Sequence, residues 1–116
     1  MPVLRVYGVP PAKANMLPKF TKKVIEAICS IKELGLTSDQ VSCFFPADLM
    51  AEGLGEEVIV FVDGLFEKPE RTEEVRRALA ESIAHTTWVF FSGTNLVECF
   101  ICSFNPKQGF YSLKRT

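Results

Sequence analysis

Long hydrophobic runs and an excess of one charge are both missing from this 116-residue sequence. Its 13 basic and 14 acidic residues give a formal net charge of −1. A nucleic-acid-binding surface needs clustered lysine and arginine to neutralise phosphates, so the composition argues against that function. No apolar run approaches the ~20 residues of a membrane-spanning helix, and the N-terminus lacks the basic and apolar regions of a signal peptide. We therefore expect a cytoplasmic protein with no nucleic-acid or membrane partner.

Histidine is also scarce, which limits what the four cysteines can do. The sequence has one histidine (His85) and one Cys-x-x-Cys pair, formed by Cys99 and Cys102. Zinc sites usually combine two such pairs, or one pair with histidines at a fixed spacing. The pair also lies in an apolar segment that predicts a strand, where residues three apart point to opposite faces. We therefore expect free thiols, no metal site and no cofactor.

What the sequence does contain is a strand–helix–strand pattern that occurs twice. Apolar residues spaced three or four apart predict the helices, and β-branched or aromatic runs bounded by glycine or proline predict the strands. The first half is predicted as a strand at Pro2–Tyr7, a helix over residues 17–31 that ends before Gly35, and a strand over 41–45. The second half is predicted as a strand over 57–62, a loop opened by Asp63-Gly64, a helix capped by Thr72 with Val75, Leu79 and Ile83 buried, and a strand over 97–103. Residues 110–112 are predicted as a short final strand.

The two halves match in the order and the spacing of these elements. The strand start at 3–4 matches the strand start at 58–59, and the helix positions Val24 and Ile28 match Leu79 and Ile83. In every pair the two residue numbers differ by the same amount, which is here called the repeat offset. We expect one domain over residues 1–116, with repeated halves at 2–46 and 57–104 and a tail at 105–116. The predicted fold is α/β (α+β), with two tandem β-α-β units forming a four-stranded mixed sheet and two helices on one face. The strand at 57–62 is continuously apolar and should be central, with a partner subunit covering its open face.

Three segments, together with the repeat and the Met1-Pro2 start, carry a family resemblance. They are Gly-Leu-Phe-Glu-Lys-Pro-Glu-Arg-Thr at 64–72, Trp-Val-Phe-Phe-Ser-Gly at 88–93 and Phe-Asn-Pro-Lys-Gln-Gly-Phe at 104–110. The chain resembles the tautomerase superfamily, which includes 4-oxalocrotonate tautomerase, macrophage migration inhibitory factor and 5-carboxymethyl-2-hydroxymuconate isomerase, and in particular its uncharacterised bacterial members. The resemblance implies a homotrimer with a pocket between subunits. It also implies cofactor-free tautomerase or isomerase activity on a small 2-keto or enol acid.

The resemblance also implies roles for individual residues. Pro2 would become a secondary amine once Met1 is removed, and burial beside cations would lower its pKa from about 8, so that it acts as a general base near neutral pH. Arg71 would hold the substrate carboxylate or polarise its carbonyl, because a planar guanidinium beside a helix N-terminus suits a carboxylate. The alternative for Arg71 is an ion pair with a neighbouring glutamate. Lys13, Tyr7 and Tyr111 are further candidates for substrate binding.

Two other functions fit the same order of elements. One is a non-catalytic binding or interaction protein on this scaffold. The other is a ferredoxin-like module that binds a small effector or RNA, although the acidic residues that flank the strand at 57–62 argue against RNA. The arginine that muconate isomerases place before the second strand is also absent, since Thr37-Ser-Asp-Gln40 stands there. A muconate-type substrate is therefore not expected.

Overall fold

A computed structural model describes residues 1–49 and 57–115 of the chain. Within these ranges the strands and helices are β1 (Val3–Tyr7), α1 (Leu17–Cys29), β2 (Ser42–Phe44), β3 (Glu57–Phe66), α2 (Glu73–Phe90) and β4 (Leu96–Phe104). Short 3-10 turns lie at Pro11–Met16, Lys32–Leu34, Ser38–Gln40 and Pro106–Gln108. None of the helices in the described ranges is long and apolar enough to cross a bilayer.

The strands form one mixed sheet in the order β2-β1-β3-β4. β1 runs parallel to β2, β3 runs parallel to β4, and the central pair β1 and β3 is antiparallel. Each parallel pair is joined through one helix, as parallel neighbours require. The predicted four-stranded sheet and the central place of the third strand are both confirmed.

The core lies between one face of this sheet and the two helices. Leu4 and Val6 alternate with half-buried residues along β1, and three valines do the same along β3. Both helices contribute apolar side chains to this one cluster, and they also pack against each other. Phe20 of α1 is fully buried, with its ring centroid 5.1 Å from that of Phe91. The predicted buried helix faces are therefore confirmed, and the Thr72 hydroxyl caps α2 by accepting a bond from the Val75 N–H at 3.3 Å.

Three expectations about element boundaries are wrong. Asp63-Gly64 lies within β3 instead of opening a loop, because Gly64 adopts a φ of 71° and absorbs a register shift before pairing with β4 resumes at Leu65. α1 ends at Cys29, and the left-handed Gly35 caps the following 3-10 turn, not the helix. Residues 110–112 form no strand.

The opposite face of the sheet is open in the single chain. The Arg5 guanidinium binds the Asp63 carboxylate and lies 4.8 Å from the Phe61 ring centroid. Phe61 stacks on Phe100 at 5.1 Å, and Phe44 and Phe100 remain 57% and 46% exposed. These exposed aromatics lie on the face that the sequence predicted a partner subunit to cover.

Cys99 and Cys102 differ in their exposure along β4. Cys99 packs against the core from β4, whereas Cys102 is exposed. The two thiols therefore do not face a common ligand, and the described residues contain no group of three or more side chains suited to a metal ion. His85 is exposed on α2.

Two partly buried thiols, those of Cys43 and Cys99, should make the fold less stable as the pH becomes alkaline. Burial raises the pKa of Cys43 to about 11 and that of Cys99 to about 12. The unfolded chain releases these protons from about pH 8.5 upward, so the stabilisation is complete below that pH and is lost as pH rises through about 11 to 12. We expect the free energy of unfolding in urea to fall across this range, and to fall less steeply in Cys99→Val. Identical slopes in the two proteins would contradict this account.

Candidate functional site

Pro2 and Arg71, which are far apart in sequence, line the same cavity of about 200 Å³. The antiparallel pairing explains this, because Val3 of β1 lies opposite Asp63 of β3 and so places the start of the chain beside the end of β3. The loop before β2 and the loop before α2 complete the walls. The described residues that line the cavity are Met1, Pro2, Gly35, Leu36, Gln40, Gly64, Phe66, Lys68 and Arg71.

Pro2 is held in the wall of this cavity by its backbone. Its side chain is buried, and its carbonyl accepts a hydrogen bond from the Ser42 N–H at 3.2 Å. Its nitrogen is bonded to Met1, which is 63% exposed. With Met1 in place this nitrogen is an amide without useful basicity. Removal of Met1 turns it into a secondary amine in a buried ring.

Gly64 leaves space next to the Pro2 nitrogen. A Cβ on Gly64 would lie 3.2 Å from the Met1 carbonyl oxygen and 4.0 Å from the Met1 carbonyl carbon, the atom bonded to that nitrogen. The φ of 71° also disfavours any other residue type. The sequence predicted only a loop here. The sequence nevertheless marks Gly64 as a position at which the two halves differ, because the residue related to it by the repeat offset is Val9 and not a second glycine.

We expect Gly64→Ala to lower kcat/KM for any reaction at Pro2 by roughly tenfold, because the added Cβ would fill part of the space that the Met1 carbonyl group vacates beside the Pro2 nitrogen, and misplacing a substrate by about 1 Å can cost more than this. The left-handed backbone adds about 1–2 kcal/mol of strain. Steady-state kinetics and urea denaturation separate the two effects. Gly109→Ala is the control, because Gly109 also has a positive φ (125°) but its Cβ would meet nothing within 4 Å. Equal activity losses in both variants would show that strain alone is responsible.

The Arg71 guanidinium is bound to the backbone. The side chain is only 6% exposed, and it donates to the carbonyls of Phe66 and Leu34, each at 2.7 Å. Within residues 1–49 and 57–115 no carboxylate lies within ion-pair distance of it, and its buried Nε has no hydrogen-bond partner there. Burial lowers the pKa of Arg71 from its ordinary value, which leaves the group a cation at neutral pH because arginine titrates far above that range.

The cavity is cationic. Lys68 and Arg71 both line it, and no acidic side chain of the described part of the chain does. Nearby positive charges disfavour protonation of an amine, so a free amine at Pro2 would have a pKa below its usual value near 8. The sequence analysis missed Lys68, although the repeat offset relates it to Lys13 and it lies close before Arg71.

The other predicted binding residues lie elsewhere in the single chain. Tyr7 is at the far end of β1, about 16 Å from Pro2 at the usual rise of a strand, and lines a separate cavity of about 350 Å³ with Asp48 and Glu57. Lys13 is exposed in the turn that follows β1. Tyr111 is 84% exposed.

Of these three residues, Tyr111 has a sequence neighbour that packs against the wall of the Pro2 cavity. The preceding residue, Phe110, packs edge-on against Phe66 at 4.8 Å, and Phe66 lines the cavity.

At the opposite end of the sheet, the repeat offset relates Pro2 to Glu57. The repeat therefore produces one end with a proline and two cations and another end with two carboxylates.

Several solved structures have a fold similar to that of the chain. Pt0534 inactivated by 2-oxo-3-pentynoate matches with a TM-score of 0.69 at 15% identity, over 89% of this chain and 86% of that one. The 5-carboxymethyl-2-hydroxymuconate isomerase from Deinococcus radiodurans R1 has a TM-score of 0.65 at 12% identity, over 98% and 90%. A symmetric trimer of fused 4-OT has a TM-score of 0.62 at 16% identity, over 90% and 87%.

The chain has the fold of these solved structures. The resemblance inferred from the sequence is thus confirmed at the level of architecture. No protein-family model and no curated protein sequence matches the chain. At these identities the similarity establishes the fold alone, and a fold by itself does not determine activity.

Proposed function

We propose that the chain, once Met1 has been removed, is a cofactor-free tautomerase or isomerase of small 2-keto or enol acids, with Pro2 as its general base. The observation that carries the proposal is the shared cavity, in which the Pro2 ring is buried beside two cations. A secondary amine in that setting has the lowered pKa that a base needs near neutral pH. The tautomerase fold supports the same class of chemistry.

The proposed reaction needs one group that can both take and return a proton. For an enol acid, the Pro2 amine removes the proton of the 2-hydroxyl group. The oxygen–carbon bond becomes a carbonyl as the electrons of the C2–C3 double bond move to C3, and the protonated amine then delivers its proton to C3. No atom is gained or lost. The positive charge of the cavity attracts the substrate carboxylate and stabilises the negative charge that develops on the oxygen.

We further propose a homotrimer, which the open face of the sheet and the assembly of the fused 4-OT relative support. Tyr7 is then a candidate for a contact that a neighbouring chain supplies. Light scattering should give about three times the chain mass of 13.0 kDa. A stable monomer at micromolar concentration would contradict the trimer and would remove Tyr7 from the site.

Turnover of phenylenolpyruvate and of 2-hydroxymuconate tests the activity. Loss of the enol absorbance should be faster with the chain that begins at Pro2 than in buffer alone, and faster with phenylenolpyruvate than with the diacid. Turnover of neither compound, combined with measurable carboxylate binding, would favour the non-catalytic binding protein instead. A second probe is 2-oxo-3-pentynoate, the compound that inactivated Pt0534, since its conjugated alkyne accepts a nucleophilic amine.

A further inference from the structure

We propose that Lys68 binds the substrate carboxylate and that Arg71 serves to hold the cavity walls together, so that the preferred substrates are small acids with one carboxylate. The identity of the ligand rests on the proposed function. The division of roles rests on how each cation is bound and exposed. It revises the role that the family resemblance implies for Arg71.

The hydrogen bonds of Arg71 join two separate parts of the cavity wall. One terminal nitrogen donates to Leu34, in the 3-10 turn that leads to Gly35 and Leu36. The other donates to Phe66, which ends β3. The backbone of Arg71 is itself fixed, because its carbonyl accepts a bond from the Arg76 guanidinium at 2.6 Å. A buried guanidinium that is bound to two carbonyls cannot turn to follow an incoming ligand without breaking those bonds.

Lys68 has the opposite properties. Its side chain is exposed at the rim of the cavity, and no carboxylate of the described residues pairs with it. An ammonium group offers three donors on a flexible stem, so it can reach a carboxylate bound above Pro2. Of the two cations that line the described part of this cavity, Lys68 is thus the exposed and mobile one, whereas the unpartnered Nε of Arg71 is buried in a side chain that two carbonyls hold in place.

The first half of the chain provides an internal comparison. Lys13 is related to Lys68 by the repeat offset and is also exposed. The cavity at that end contains Asp48 and Glu57, and Lys13 does not line it. The same residue type therefore lies next to the Pro2 cavity in only one half, which makes Lys13 a matched control for Lys68.

One free cation also sets a preference among acids. A single ammonium can neutralise one carboxylate, and a second carboxylate in this cavity would be desolvated beside a guanidinium whose terminal nitrogens already bind two carbonyls. We therefore expect monocarboxylates to bind more tightly than dicarboxylates of similar length.

The test compares Lys68→Met, Lys68→Arg and Lys13→Met in the chain that begins at Pro2. Calorimetry measures the binding of 2-oxopentanoate, of its neutral amide and of 2-oxoglutarate. We expect Lys68→Met to weaken 2-oxopentanoate binding about tenfold, with no change for the amide. Lys68→Arg should restore most of the affinity, Lys13→Met should match the unchanged protein, and 2-oxoglutarate should bind more weakly throughout. Kinetically, Lys68→Met should raise KM with little change in kcat.

These measurements separate this inference from the proposed catalysis, since binding requires no proton transfer. If no enol is turned over but Lys68→Met still weakens binding selectively, the catalytic proposal fails and the role of Lys68 stands. Unchanged binding in Lys68→Met, equal weakening in Lys13→Met, or no binding of 2-oxopentanoate to the unchanged protein would each overturn the role of Lys68.

Discussion

A chain that keeps a residue in front of Pro2 should ketonise phenylenolpyruvate at least about 100-fold more slowly than the chain that begins at Pro2. General acid–base catalysis by a positioned side chain usually contributes about 10²- to 10⁴-fold, and an amide nitrogen at Pro2 cannot supply it. The cleanest comparison inserts one alanine between Met1 and Pro2, so that methionine removal leaves Ala-Pro. The measurement is the initial rate of enol loss, with intact mass confirming each N-terminus.

The control for this experiment is a comparison of the stability of the two chains. Because Met1 is 63% exposed, an added residue extends towards solvent, and urea midpoints of the two chains should agree. Pro2→Ala should also lose activity, since it replaces the buried ring with a smaller, more mobile primary amine. Equal rates in the blocked and the free chains would show that the Pro2 nitrogen takes no part in the reaction.

Arg71→Met should lower the free energy of unfolding by about 2–5 kcal/mol. The substitution keeps a long apolar side chain but removes the donors to Leu34 and Phe66, and each buried carbonyl left without a partner costs about 1–3 kcal/mol. In a domain of this size that corresponds to a fall in Tm of roughly 10–20 °C. Urea denaturation and thermal melting, both followed by circular dichroism, measure the change.

Arg77→Met is the matched control for Arg71→Met. Arg77 lies on α2 and pairs with Glu81 at 3.1 Å, with both side chains largely exposed, so its loss should change stability by less than about 1 kcal/mol. If Arg71 mainly binds ligand, as the sequence suggested, Arg71→Met would weaken carboxylate binding without loss of stability. That result would contradict the proposal that Arg71 holds the two parts of the cavity wall together.

The sequence predicted the sheet and its helices well because burial leaves a periodic trace. Leu79 and Ile83 repeat every turn of α2, and the unbroken apolar run of β3 indicates a central strand. The constant repeat offset between the halves then predicted the order of the elements. Asp63-Gly64 was misread because the same residue pair is typical of turns, whereas here long-range pairing with β4 continues the strand past it.

The site was only partly predictable. Pro2 and Arg71 were identified through the family resemblance, but their shared cavity depends on the antiparallel pairing of β1 with β3. The partners of Arg71 are backbone carbonyls, and every residue has one, so no residue type in the sequence marks Leu34 as a partner 37 positions away. Lys68 was overlooked for a related reason, since only the folded chain shows that it lines the same cavity as Pro2.

The central claim is that Pro2 acts through a free amine, and labelling with 2-oxo-3-pentynoate tests it most directly. The amine should add to C4 of the probe, the alkyne carbon farther from the ketone, and its proton should pass to C3, so that the adduct has the summed mass of protein and probe. Cys102→Ser removes the most exposed competing thiol. In that background the chain beginning at Pro2 should gain one probe mass on its N-terminal peptide and lose activity, while the Ala-blocked chain gains none. Equal labelling of both chains, or loss of activity without an adduct on Pro2, would contradict the account.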